Sequence, residues 1–191
     1  MDETLWEEIF TKEVESFNKK APQPSHSHQL DHSFRVWKKC KILGEKLGGD
    51  LEILIAAAFC HDLGRQLGLE IHGEKSAELA IPILERQNFP PQKIPLVLDA
   101  IKKHDYTTPS TERIFLESQI LYDADKMDAF GAIGVVRHIN FHLNKGDSIE
   151  MILRNLRKRW DGLTLSESKE IIKKDYEFIV DFFLRLQKEI K

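Results

Sequence analysis

The chain has 191 residues, of which 41% are hydrophobic and 31% charged, and a formal charge of −3. That length favours one domain with a substantial core over two small ones. The mild acidity argues against a dedicated nucleic-acid or membrane-surface binder.

Helical periodicity runs through nearly every segment and no run alternates as a strand would, so the expected fold class is all-α. The acidic start, Met1-Asp-Glu-Thr-Leu-Trp-Glu-Glu, lacks the apolar stretch of a signal peptide. The longest apolar run, residues 53–60, is far short of the roughly 20 residues that cross a bilayer. The expected location is cytoplasmic. Cys40 and Cys60 both sit in apolar helical contexts and read as small buried hydrophobes of a reducing compartment.

A first helix is expected over about 2–20, ahead of Pro22 and Pro24. Ser25 to Gln29 forms a polar lead-in to a second helix, which presents Val36, Cys40, Leu43 and Leu47 as a stripe and stops at Gly48-Gly49. Asp50 is a plausible N-cap. It opens a third helix, Ile53-Leu-Ile-Ala-Ala-Ala-Phe-Cys60, apolar on all sides and therefore buried. Residues 64–73 read as a loop, about 74–87 as a helix closed by Asn88-Phe-Pro-Pro, and about 92–104 as a helix with Pro91 at its start. A polar loop follows over 105–111. A long segment of about 113–144 is then expected to break near Gly131. Asp147 with Glu150, and Thr164 with Glu167, have capping-box spacing. The last helix carries Ile172, Tyr176, Ile179, Phe183, Leu186 and Ile190, a core stripe that leaves monomer and homodimer both open.

The chemistry concentrates at His61-Asp62, which ends the buried third helix. Burying even a neutral polar group without a partner costs on the order of 2–7 kcal/mol. A divalent ion is the partner that suits an imidazole and a carboxylate together. His32 lies one turn before Val36, in line with the apolar stripe, and Asp125 stands among small and apolar residues in Ile120-Leu-Tyr-Asp-Ala-Asp-Lys-Met-Asp-Ala-Phe-Gly131. His32, His61, Asp62 and Asp125 therefore form a candidate ligand set. Its mixed nitrogen and oxygen donors suit Mn²⁺, Fe²⁺, Co²⁺, Ni²⁺ or Zn²⁺, with Mg²⁺ allowed. No Gly-x-Ser-x-Gly elbow, P-loop or dinucleotide glycine fingerprint is present. Hydrolysis by metal-activated water is the best chemical reading.

The order His32, His61-Asp62, Asp125 resembles the HD-domain superfamily of metal-dependent phosphohydrolases. His72-Gly-Glu-Lys-Ser-Ala77 and Asp123-Ala-Asp-Lys-Met-Asp-Ala-Phe-Gly-Ala-Ile-Gly134 are similar to a small subgroup of HD hydrolases with nucleotide pyrophosphatase-like activity. The resemblance implies a single HD helical bundle over 1–191 around a central metal site. Its motif core spans about 28–140, with a helical extension over 147–190. His32, His61, Asp62 and Asp125 would be ligands, with Asp62 placed to bridge a second ion. His72 and His104 stand where two-metal relatives carry further histidines, and could instead contact phosphate or shuttle a proton. Lys126 stands where related triphosphohydrolases contact phosphate. Arg35, one turn past His32, and Arg65, three residues past Asp62, could point to the same pocket.

Glu70 is a candidate general acid or base, as is His72. HD 5′-nucleotidases carry acids three and eight residues after the doublet; here Arg65 takes the first place and Glu70 the second, which argues against a monophosphatase. The expected substrate is a small phosphorylated molecule, a nucleotide. The alternatives are a cyclic-nucleotide or dinucleotide phosphodiesterase, and a regulatory module that binds a nucleotide without turnover. Arg154-Asn-Leu-Arg-Lys-Arg-Trp160 is read as a solvated helix face, His26 and His28 as exposed, and His138 with His142 as helix-face residues.

Overall fold

The computed structural model describes residues 3–21, 28–69, 71–105, 112–142 and 145–190. The described residues are all-α and contain no strand. They fall into two compact units, Met1–Ala124 and Asp125–Lys191. No helix among them is long and apolar enough to cross a membrane.

The first unit is organised on α3, Leu51–Cys60, against which α1 (Glu3–Lys20), α2 (His28–Leu47), α4 (Gly73–Arg86) and α5 (Ile94–Lys103) all pack. Every residue of α3 from Ile53 to Cys60 is buried, as its unbroken apolar run requires. Each large aliphatic or aromatic side chain hidden there contributes on the order of 1.5–3 kcal/mol. Phe59 anchors an aromatic cluster, stacked on Phe10 at 6.3 Å and edge-on to Phe34 at 5.1 Å. Asp50 caps α3 as expected, its Oδ1 accepting the N–H groups of Glu52 at 3.0 Å and Ile53 at 3.4 Å. Cys40 and Cys60 are both buried, and neither forms a disulfide among the described residues.

Some boundaries differ from the sequence reading. Residues after the His61-Asp62 doublet are not plain loop, since Leu63–Leu67 forms a 3-10 turn closed by Gly68 at φ 80°. α5 starts at Ile94 rather than 92, with Pro95 in its first turn. Pro90 and Pro91 instead build a separate turn, in which their carbonyls accept the N–H groups of Lys93 at 2.9 Å and Ile94 at 3.3 Å.

α6, Leu116–Met127, runs from the first unit into the start of the second. The second unit then holds α7 (Gly131–His142), α8 (Ile149–Asp161) and α9 (Ser166–Ile190), with α7 and α8 both packed on α9. The break before α7 falls at Gly131, whose φ of 70° lies in the left-handed region that favours glycine. Ile172, Ile179 and Phe183 of the C-terminal stripe are buried, whereas Ile190 at its end is exposed. Arg154, Arg157, Lys158 and Arg159 lie on the exposed face of α8. The cap of α8 is Ser148, whose Oγ accepts the N–H of Met151 at 3.3 Å. Asp147 is not that cap, because its carboxylate is engaged by His142 Nδ1 at 2.7 Å. His138 and His142, read as helix-face residues, are both buried, with rings stacked at 5.4 Å.

Candidate metal centre

The end of α3 carries His61 and Asp62 into the interior of the first unit because nothing in the preceding helix is polar enough to turn it outward. His61 is 0% exposed and its backbone N–H still donates to Ala57 O at 2.9 Å, so the ring is fixed by the last helical turn. Its Nδ1 lies 2.8 Å from Ala58 O. A carbonyl only accepts, so Nδ1 carries a proton, and in the neutral ring Nε2 presents a lone pair. His104, which ends α5, repeats the device with Nδ1 2.5 Å from Ile101 O. His32 comes from α2 and His72 from the residue before α4, and both are buried.

All four rings converge on one carboxylate. Asp62 Oδ2 lies 3.7 Å from His32 Nε2 and 3.6 Å from His61 Nε2. Asp62 Oδ1 lies 2.7 Å from His72 Nε2 and 3.8 Å from His104 Nε2. Within each pair the nitrogens are close as well, His32 to His61 at 3.3 Å and His72 to His104 at 3.1 Å. The result is two triads, His32–His61–Asp62 and Asp62–His72–His104, each with its donor atoms within 4.8 Å of one another.

Burial is the largest influence on Asp62 and opposes its ionisation. His61, the hydrogen bond from His72, Arg65 and His32 together outweigh it and hold the carboxyl well below its ordinary range. Asp62 is therefore an anion among imidazoles, two of which aim Nε2 at it with Nδ1 turned to a backbone carbonyl. Converging lone pairs and a carboxylate, with the opposite ring nitrogens tied to backbone carbonyls, fit a divalent cation.

Arg65 reaches back from the 3-10 turn to place Nε 3.3 Å from Asp62 Oδ1, while its side chain stays 55% exposed. Arg35 is half-buried on α2. Asp125 and Lys126 open the second unit and pair with each other, Lys126 Nζ lying 2.6 Å from Asp125 Oδ2. Glu70 and His26 lie outside the described residues, as does the side chain of His28. The structure thus brings His32, His61, Asp62, Arg65, His72 and His104 together in the first unit.

One group at this site was not singled out from sequence. Asp105 is buried, and its Oδ2 accepts the N–H groups of His72 at 3.1 Å and Gly73 at 2.6 Å. The available signal was His104-Asp105 itself, a second histidine–aspartate doublet at the end of a helix.

The sequence model of the HD domain matches residues 30–129, more than half of the chain. The chain belongs to the HD domain family, whose members bind divalent metals and whose fold is that of metal-dependent phosphohydrolases. The matched span contains His32, His61, Asp62, His72, His104 and Asp125. The protein YpgQ of Bacillus subtilis (strain 168) is 25% identical, over 87% of this chain and 86% of its own. A crystal structure of Bacillus subtilis YpgQ in complex with ADP matches with a TM-score of 0.72 at 22% identity, covering 99% of this chain and 97% of that one. A predicted HD superfamily hydrolase from an uncultured Thermotogales bacterium matches with a TM-score of 0.68 at 24% identity, covering 95% of this chain and 91% of that one. At these identities the two structural matches speak for the fold.

Proposed function

We propose that the chain is a divalent-metal-dependent hydrolase that cleaves a phosphoanhydride or phosphoester bond of a nucleotide. The observation that carries this reading is Asp62, an ionised carboxylate held between two pairs of histidines. His32, His61 and Asp62 would hold one ion, and Asp62, His72 and His104 a second, with one carboxylate oxygen turned to each histidine pair. Bound there, a divalent ion lowers the pKa of water and polarises a phosphoryl oxygen, the two requirements for attack on phosphorus.

The remaining residues handle charge and protons. Arg65 lies at the edge of the cluster with a partly exposed side chain, so its guanidinium can hold a phosphate while keeping contact with Asp62. Arg35, half-buried on α2, would supply a second positive charge for a polyphosphate. His72 faces Asp62 with the nitrogen that would otherwise carry a proton. While an ion is held there, proton transfer falls to Glu70. The nucleotide is supported by ADP in the crystal structure of YpgQ.

A second reading, cyclic-nucleotide or dinucleotide phosphodiesterase, is favoured by the second histidine pair on Asp62, since a shared carboxylate lets two ions flank one phosphoryl group. Stripping the protein with a chelator and returning divalent cations one at a time tests the shared part of both readings. Phosphate-bond hydrolysis should return with an ion and stay absent in His61→Ala. Hydrolysis that survives the chelator, or that persists in His61→Ala, would overturn it.

A further inference from the structure

We propose that Asp105 is a positioning residue that sets His72 and His104 against Asp62 and thereby builds the second of the two metal-binding triads. The inference rests on the reading of those histidines as ligands given above. Its starting point is a gap in α4. The first backbone N–H groups of a helix have no intrahelical partner, and the residue before this one, His72, makes no side-chain cap. The acceptor comes instead from the far end of α5. Asp105 Oδ2 takes the N–H of His72 at 3.1 Å and that of Gly73 at 2.6 Å, and its negative charge faces the positive end of the helix dipole.

That single carboxylate therefore ties His72, at the start of α4, to His104, its own neighbour at the end of α5. Asp105 Oδ1 meanwhile lies 3.6 Å from His72 Nδ1 and 3.9 Å from His104 Nε2, adding negative charge beside both rings. The approach is close enough to require glycine at position 73, where a Cβ would meet Lys102 O at 2.5 Å and Asp105 Oδ2 at 2.9 Å. Asp105 touches neither Asp62 nor any reacting atom in this arrangement, so its effect passes through the two imidazoles.

The test compares Asp105→Ala and Asp105→Asn with the unsubstituted protein by two readouts. One is Mn²⁺ binding, as stoichiometry and affinity by equilibrium dialysis. The other is the ¹⁵N spectrum of the imidazoles in ion-free protein. Asp105→Ala should weaken the ion at Asp62, His72 and His104 by about 10–100-fold, while the ion at His32 and His61 is retained. The His72 and His104 ring signals should move and those of His32 and His61 should hold. Asp105→Asn keeps an oxygen acceptor for the two N–H groups but loses the charge, so it should fall between, and it carries the test if the alanine variant does not fold. Unchanged ring signals and unchanged affinity in a folded Asp105 variant would overturn the proposal. If the unsubstituted protein takes up no ion, the metal reading itself fails, and the imidazole spectra alone decide the role of Asp105.

Discussion

Acidification should weaken the second unit through His138. This residue of α7 is 5% exposed, and its Nε2 has no hydrogen-bond partner among the described residues. Burial, helped by Arg159 of α8 and by His142 and Arg137 of α7, pushes the imidazole from its ordinary 6.5 down to about 4, against the opposing hydrogen bond to the Ala129 backbone. From α9 the ring meets the edge of Phe183, at 6.3 Å. Because the folded value is the lower one, the unfolded chain takes up the proton first as pH falls. The stability held by neutral His138 is complete above pH 6.5 and is lost progressively towards pH 4. At 1.36 kcal/mol per pH unit the whole loss is about 3 kcal/mol, most of which has gone by pH 4.5. Urea unfolding at pH 7.5 and pH 4.5, for the unsubstituted protein and His138→Leu, isolates this contribution from the carboxylates that titrate in both. The unsubstituted protein should lose about 2–3 kcal/mol more than the variant over that interval. Parallel losses would refute the assignment of a buried, neutral His138.

Other perturbations have outcomes that follow from position. Leu54→Ala, at a 0% exposed site in the centre of α3, should cost about 3 kcal/mol in chemical denaturation and lower the thermal midpoint by roughly 6–12 °C. A loss below about 1 kcal/mol would contradict the central place of α3. Asp50→Ala removes the acceptor for two N–H groups and a partner of Lys93 at 2.6 Å, and should cost about 1 kcal/mol; an unchanged urea midpoint would count against the cap. Cys60, pushed up to about 12 by burial and by Glu13, and buried Cys40 should both resist a thiol reagent at pH 8 until the chain unfolds. Rapid labelling of the native protein would show that α3 or α2 is not packed as described.

What could be read in advance was local. Asp50, Gly48 and Gly131 act within a few residues of their place in the chain, so their type and spacing revealed the cap, the stop and the break. The run from Ile53 to Cys60 announced its burial because no face of that helix is polar. The burial of His61 and Asp62 was legible for the same reason, since they follow that helix, and that of His32 from its place one turn before Val36 on the stripe of α2. What escaped depends on contacts that spacing does not encode. Pro91 and Pro95 both satisfy the rule for a helix start, and only the separate turn closed by Pro90 and Pro91 decides for Pro95. Asp147 has the spacing of a cap, but the ring of His142 claims it and leaves the role to Ser148. Asp105 reaches backbone groups more than thirty residues away. No periodicity marks such a tie, and only the repeated histidine–aspartate doublet hints at it.

The central claim is that Asp62 organises metal-dependent hydrolysis of a nucleotide. Its most direct test is product analysis from nucleoside mono-, di- and triphosphates, cyclic nucleotides and dinucleotides with Mn²⁺, separating phosphate, pyrophosphate and nucleotide products, with Asp62→Ala alongside. The account predicts cleavage of at least one class, pyrophosphate release from triphosphates foremost, and its loss in Asp62→Ala. Absence of product from every class, or product that persists without the Asp62 carboxylate, would contradict it.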